Sequence, residues 1–254
     1  MKTLAEQNGY SPEDRLSDGS LTARIDRRFY PAYRDNWDDQ MFRTRIAGDL
    51  KKDFVILDLG AGAGIVSEMN FRGQVARVCG IDLDQRVLNN PFLDEAVCGT
   101  GGSIPYPDAT FDLVFSDNVL EHLDQPEEVF REVARVLKPG GKFLAKTPNR
   151  YHYVPTFARL TPLAFHQLVN RLRGRKSEDT FPTRYKANTI ADVSRHAART
   201  GLVVEQALLI EGRPEYLRLS PLTYLAGLAW ERLVNAVDWL ARFRVVLIVV
   251  VSKP

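Results

Sequence analysis

The sequence predicts an α/β fold, a mostly parallel sheet with helices on both faces, and three observations carry that prediction. From Phe54 onward, short apolar runs alternate with segments of helical periodicity, the pattern of repeated strand–helix units. The run VILDLGAGAG, residues 55–64, drives an apolar strand into a glycine-rich turn. Near the other end VVLIVVV, residues 245–251, is apolar throughout. Seven residues are far too few to cross a bilayer, so this run reads as a strand buried on both faces.

Taken in order, residues 1–45 read as a flexible N-terminal segment and a cap helix. The first twenty are polar and turn-rich, without the apolar stretch of a secretory signal. This points to a cytoplasmic protein. RRFYPAYRDNWDDQMFR, residues 27–43, follows with aromatic and charged residues mixed. Strands are predicted at 54–60, 76–83, 95–99, 111–117, 142–148, 202–210 and 243–252. A helix is predicted over 126–138, with Asp124 or Gln125 as its cap and Pro126 in its first turn. Val129, Val133, Val136 and Leu137 form its inward stripe, and Gly140 and Gly141 are expected to end it. A second helix, 189–199, should end at Gly201. The main domain is placed at 46–254, with insertions at about 150–186 and 212–242. Both exceed ordinary connections, so helices of their own are expected there.

A chain of 254 residues with 44% apolar and 26% charged residues suits one large α/β domain. The net charge of +2 carries no electrostatic signature of a nucleic-acid partner. Two cysteines, Cys79 and Cys98, lie in or beside apolar runs and read as buried thiols, not a disulfide framework. No CxxC or HExxH spacing marks a metal.

The glycine loop selects among ligands. In the dinucleotide fingerprint GxGxxG the last glycine falls on Ile65 or Ser67, depending on register, and a phosphate loop ending in GK[ST] lacks its lysine. What remains is Asp58, Gly60, Gly62 and Gly64. An aspartate two residues before the first glycine repels a pyrophosphate and attracts an ammonium group. Asp82, ending the second strand, can accept hydrogen bonds from both hydroxyls of a ribose. The implied ligand is a nucleoside with a cationic amino-acid tail and no phosphate.

With VILDLGAGAG, GIDLD, IPYPDATFDLVFSDNVLEHL and EVARVLKPGGKFLAKTPN in this order, the chain resembles the class I S-adenosylmethionine-dependent methyltransferases. More narrowly it looks like the type 11 group and the ubiquinone-pathway O-methyltransferases. The resemblance implies a Rossmann-like seven-stranded mixed sheet of order 3-2-1-4-5-7-6 with strand 7 antiparallel. It implies S-adenosylmethionine as cofactor and S-adenosylhomocysteine as product. Carried over by position, Asp58, Gly60, Gly62 and Gly64 would line the methionine and ribose side, and Asp82 the ribose. Thr100, Gly101 and Ser103, in GTGGS, would pass the adenine, although many relatives have an acid where Thr100 stands. Ser116 and Asn118 would face the methyl donor. Tyr30, Tyr33, Arg34 and Trp37 could close over it.

His122, in NVLEHL, and His152, in TPNRYHY, are the candidate general bases; a packed histidine and an exposed loop histidine are the plain alternatives. His166 and His196 fall on expected helices. Relatives with Glu-x-x-Glu-His at NVLEH hold a divalent cation there. Here Asn118 replaces the first acid, so no essential metal is expected. Insert 150–186 carries eight basic residues against two acidic ones, interleaved with aromatics. It suits an anionic or ring-bearing acceptor, or a solvated face. In 220–244 a stripe of Leu222, Leu225, Leu233, Val237 and Leu240, with Trp230 and Trp239, should pack on the domain. A membrane-surface or dimer helix is the alternative. The expected activity is methyl transfer to a small-molecule or lipid-linked acceptor, most readily at oxygen. Protein or RNA methylation and a catalytically silent scaffold are the alternatives. Nucleic acid is disfavoured, since TPNR stands where nucleic-acid amino-methyltransferases carry NPPY.

Overall fold

Seven strands form one sheet: β1 (Val55–Leu59), β2 (Arg77–Asp82), β3 (Glu95–Cys98), β4 (Phe111–Asp117), β5 (Leu137–Pro148), β6 (Val203–Ile210) and β7 (Val246–Ser252). Their order is β3-β2-β1-β4-β5-β7-β6, as the resemblance implied. β1 to β5 run parallel, and β7 is antiparallel to both β5 and β6. The protein is described by a computed structural model covering residues 20–31, 33, 36–160 and 182–254.

β7 shows why the sheet holds. Val246 to Val251 are all buried. Leu247, Val249 and Val251 join the main core with Leu57, Val114, Phe143 and Ala145, while Ile248 and Val250 are covered on the opposite face. A strand buried on both sides tolerates no polar alternation. The N-terminal edge of the sheet is less covered: Cys79 on β2 is buried, but Cys98 on β3 is exposed, contrary to the expectation for both.

Helices α1 (Leu21–Phe29), α2 (Trp37–Ala47), α3 (Pro126–Val136), α4 (Tyr153–Leu160), α5 (Ile190–Arg199) and α6 (Pro221–Ala236) accompany the strands. α3 buries Val129, Phe130, Val133 and Val136, and Phe130 meets Phe143 edge to face at 5.7 Å between ring centres. It ends earlier than expected. Leu137 already pairs with Phe111 in the sheet, and a bulge follows before Lys142 resumes the register opposite Leu113. Gly140, at φ +77°, therefore serves that bulge and not a helix cap, and its N–H donates to the Lys253 carbonyl at 2.8 Å. α5 is capped as its sequence suggests: Thr189 Oγ1 accepts from Asp192 N–H at 3.0 Å, and Gly201 takes φ +77° just beyond the end.

The chain divides into two compact units. The sheet unit is 38–150, 182–210 and 246–254; the helical unit is 1–37, 151–181 and 211–245. Within the helical unit, Tyr30, Tyr224 and Leu228 form a small core, and Asp26 receives Arg213 at 3.1 Å and the Tyr224 hydroxyl. Ser220 and Thr223 make a reciprocal capping box for α6. This helix packs through Tyr224, Gly227, Leu228, Glu231 and Val234. The expected inward stripe is instead largely outward: Leu222 is 79% exposed, and Leu225, Leu233 and Trp239 are exposed too. Among the described residues no helix is long and apolar enough to cross a membrane. His166 and most of the basic aromatic insert lie outside the described residues.

Candidate cofactor and acceptor site

The carboxyl ends of β1, β2 and β4 meet where a ligand binds in open α/β sheets. Gly60, Gly62 and Gly64 all take positive φ, at +84°, +51° and +72°, which favours glycine. Their surroundings differ. A Cβ on Gly60 would stand 2.2 Å from Val119, and one on Gly64 2.3 Å from Asn90 Oδ1. Those two positions let the chain pack closely. Above Gly62 the nearest atom is Asp82 Oδ2 at 4.0 Å, so the loop is open at its centre.

Backbone groups fix Asp82. Its Oδ2 accepts from Gly62 N–H at 2.9 Å and its Oδ1 from Asp84 N–H at 2.8 Å. A carboxylate oxygen has two lone-pair positions, so acceptor capacity remains for two hydroxyls. Asn90, a residue the sequence reading missed, ties the loop down through Nδ2 to the Ala61 and Gly62 carbonyls. Asp58 is buried, and burial first, then the charges of Asp117 and Asp82, hold its carboxyl well above the usual range. A cation placed beside this group would restore its charge.

Ser116 is fully buried with an unpartnered Oγ. Asn118 is exposed at φ +53°, and its N–H donates to the Lys146 carbonyl at 2.9 Å. Thr100 and Ser103 form a turn: Ser103 N–H reaches the Thr100 carbonyl at 3.1 Å, and Thr100 Oγ1 accepts from Gly102 N–H. Gly101 packs on Leu59 too closely for a side chain.

A charge cluster behind β4 had no signal in the linear pattern. Lys146 on β5 is fully buried, 3.0 Å from both Asp38 and Asp117 and paired also with Asp39. Burial pulls its ammonium down, but the three carboxylates outweigh that and hold it above the ordinary lysine value. One cation among three acids leaves an excess of negative charge. Burial pushes Asp39 up to about 7, against the pull of Lys146. Asp38 and Asp39 open α2, so the cluster fixes that helix start to the sheet.

His122 lies in the one-turn 3-10 helix Leu120–His122, and its Nδ1 is 3.0 Å from the Pro182 carbonyl. A carbonyl only accepts, so Nδ1 donates there, and Nε2 lies 4.0 Å from Glu121 Oε1. Its neighbour Glu121 is turned inward, where Oε2 accepts from Thr147 Oγ1 at 2.9 Å. Asn188 Nδ2 donates to that same Thr147 oxygen at 2.6 Å. Among the described residues no group of three His, Cys, Asp or Glu side chains is arranged to hold a metal. His152 is buried and not an exposed loop residue; its Nε2 stands 3.6 Å from Glu211 Oε1 within the helical unit. His196 is buried on α5, with Nε2 3.4 Å from the Lys186 carbonyl. Tyr30 donates to Glu231 at 3.2 Å, and Trp37 packs on Gly212. Tyr33 is exposed and stacks at a tilt on Trp37. Arg34 lies outside the described residues.

This strand order, with an open glycine loop and a backbone-anchored aspartate on the next strand, is similar to that of the class I S-adenosylmethionine-dependent methyltransferases. Residues 57–145 match the family model described as a methyltransferase domain. The chain is 37% identical over 129 residues to a ubiquinone biosynthesis O-methyltransferase of Pseudomonas syringae, covering 46% of this chain and 51% of that one. It spans about half the length of the curated relatives it matches. In fold it is similar to the geranyl diphosphate C-methyltransferase of Streptomyces coelicolor solved with Mg2+, geranyl diphosphate and S-adenosyl-L-homocysteine. That similarity has a TM-score of 0.57 at 15% identity, over 98% of this chain and 88% of that one. The [4+2]-cyclase SpnF shares the fold at TM-score 0.56 and 18% identity, over 87% and 83% of the two chains. The cofactor of such a domain is S-adenosylmethionine. The residues present suit it: an open Gly62, an anchored Asp82, an unpartnered Ser116 hydroxyl and a surplus of carboxylates.

Proposed function

We propose that this chain transfers the methyl group of S-adenosylmethionine to a hydroxyl of a small-molecule or lipid-like acceptor. The observation that carries the reading is the opening above Gly62 beside the anchored Asp82 carboxylate, a cradle for a ribose and hostile to a pyrophosphate. When bound, the cofactor supplies a methyl group already activated by its sulfonium charge. The residues of the chain hold and orient. Asp82 would accept from the ribose hydroxyls, and Asp58 would face the ammonium end. Ser116 and Asn118 would border the donor methyl, and the Thr100–Ser103 turn would flank the adenine. Orientation of this kind supplies on the order of 7–11 kcal/mol. A general base adds roughly 10²–10⁴-fold where the acceptor loses a proton, and His122, through Nε2, is the base this reading assigns. For His152 the ring hydrogen lies on the nitrogen facing Glu211, so the reading assigns it a donor role.

The test is product formation: S-adenosylhomocysteine released from labelled donor with a panel of alcohols and phenols, before and after exhaustive chelation. Turnover on a hydroxyl compound that survives chelation supports the reading and its metal-free form. Loss restored by Mg2+ contradicts the metal-free form. Tight donor binding with no turnover on the panel would favour a silent scaffold. The exposed Leu222, Leu225, Leu233 and Trp239 on the α6 side support peripheral membrane contact of the enzyme. Sedimentation with anionic vesicles at physiological salt tests it, and absence of binding removes it.

A further inference from the structure

Among the described residues, four buried polar atoms of the helical unit lack any hydrogen-bond partner: His152 Nε2, Glu211 Oε2, Trp230 Nε1 and Arg218 Nε, the last on a guanidinium already paired with Asp26 and Glu215. The two side chains of the first pair are only 1% and 2% exposed, and their 3.6 Å separation is too long for a direct hydrogen bond. Tyr153 links the set. Its ring lies 4.0 Å from that of His152 and meets Trp230 edge to face at 5.9 Å. Burial first, and then the Glu211 charge, raise the Tyr153 phenol above its ordinary value, which marks a poorly solvated surrounding.

Each orphaned buried group costs about 1–3 kcal/mol, and protein interiors pair nearly all such groups. The three around Tyr153 describe a partner that the described residues do not supply. The partner's chemistry follows from the atoms that wait for it. The Val154 N–H donates to His152 Nδ1 at 3.4 Å, so the ring hydrogen sits on Nε2, which donates. Trp230 Nε1–H donates as well, whereas an ionised Glu211 only accepts. A cation would answer Glu211 and oppose the two N–H groups. An anion would answer those N–H groups and be repelled by the carboxylate. A hydroxyl both donates and accepts, and the surrounding rings favour a flat apolar body.

We propose that His152, Glu211 and Trp230 form a subsite for a neutral, hydroxyl-bearing ring compound. Its hydroxyl accepts from His152 Nε2–H and donates to Glu211 Oε2, and Trp230 donates to the remaining oxygen lone pair or to a neighbouring oxygen. This deepens the methyl-acceptor reading and rests on it for the compound's being the acceptor.

The experiment titrates the full chain, saturated with S-adenosylhomocysteine, with phenol and with anisole, and follows the ring nitrogens of His152 by NMR in histidine-labelled protein. Phenol is expected to shift the Nε2 resonance and to bind at least tenfold more tightly than anisole, which cannot donate to Glu211. Glu211→Leu and His152→Phe are each expected to weaken phenol at least tenfold with S-adenosylhomocysteine affinity kept. Equal binding of phenol and anisole overturns the subsite, as does a His152 resonance that phenol leaves unmoved because an ordered water alone fills the gap. These comparisons need no variant, so a misfolded substitution does not rescue the idea. S-adenosylhomocysteine binding without a phenol effect sinks the subsite and leaves the methyltransferase reading. A phenol effect without S-adenosylhomocysteine binding supports the subsite and sinks that reading.

Discussion

Replacing Glu121 by Gln should stabilise the protein at alkaline pH. The Glu121 side chain is buried in the one-turn helix after β4. Burial pushes its carboxyl up to about 7 from an ordinary 4.5, against the opposing hydrogen bond of Thr147 and the Lys146 charge. A carboxyl that keeps its proton longer in the folded state than in the unfolded chain contributes fully below about pH 4.5. That contribution is lost as the pH rises through about 7. The gap corresponds to about 3 kcal/mol. Gln has nearly the same shape and still offers Thr147 an acceptor, but it never ionises. Urea unfolding at steps from about pH 4 to about pH 8 reads the difference. At the acid end Glu121→Gln and the parent should agree; by pH 8 the variant should lead by up to about 3 kcal/mol. Asp39, also pushed up to about 7, gives both proteins a slope of the same sign, so the quantity to compare is the divergence of the two curves. Parallel curves, or a variant weaker at pH 8, would refute the placement of a buried ionised carboxylate here.

Asp82→Asn loses the charge and turns an NH2 group toward one of the two backbone N–H donors that Asp82 accepts from; it should weaken S-adenosylhomocysteine binding about 10- to 100-fold in calorimetry and lower stability by about 1–3 kcal/mol. Gly60→Ala, which drives a methyl into Val119, should lower stability by about 1–3 kcal/mol. Gly62→Ala has room and faces only the left-handed backbone cost of about 1–2 kcal/mol, so its main effect should be on cofactor affinity. Thermal unfolding beside calorimetry separates the two. Lys146→Met leaves Asp38, Asp39 and Asp117 without their cation and should destabilise by about 3–5 kcal/mol at pH 8. Part of that loss should return at about pH 5, where Asp39, pushed up to about 7, is protonated.

The strands were legible because a buried strand must be apolar on every face it shows the core, and VVLIVVV has no polar residue to spend on solvent. The glycine loop was legible for a similar reason: positive φ at Gly60, Gly62 and Gly64 leaves few substitutes. The start of β5 was not. A glycine pair after a helical stripe fits a C-cap and a bulge equally well, and only the pairing of Leu137 with Phe111 decides. The stripe on α6 misled because leucines at helical spacing do not say which face finds a partner, and Tyr224 and Leu228 did. Nothing in the linear pattern marked Lys146 or Glu121 as buried; their burial follows from contacts with α2 and with Thr147. Glu211 had no local signal. It meets His152 across 58 intervening residues.

The most direct measurement is isothermal titration of the full chain with S-adenosylhomocysteine, with NAD and ATP as comparisons. The account expects one molecule bound per chain, competed by S-adenosylmethionine and weakened by Asp82→Asn, with no heat from the phosphate-bearing nucleotides. Silence with S-adenosylhomocysteine alongside saturable binding of NAD or ATP would contradict it.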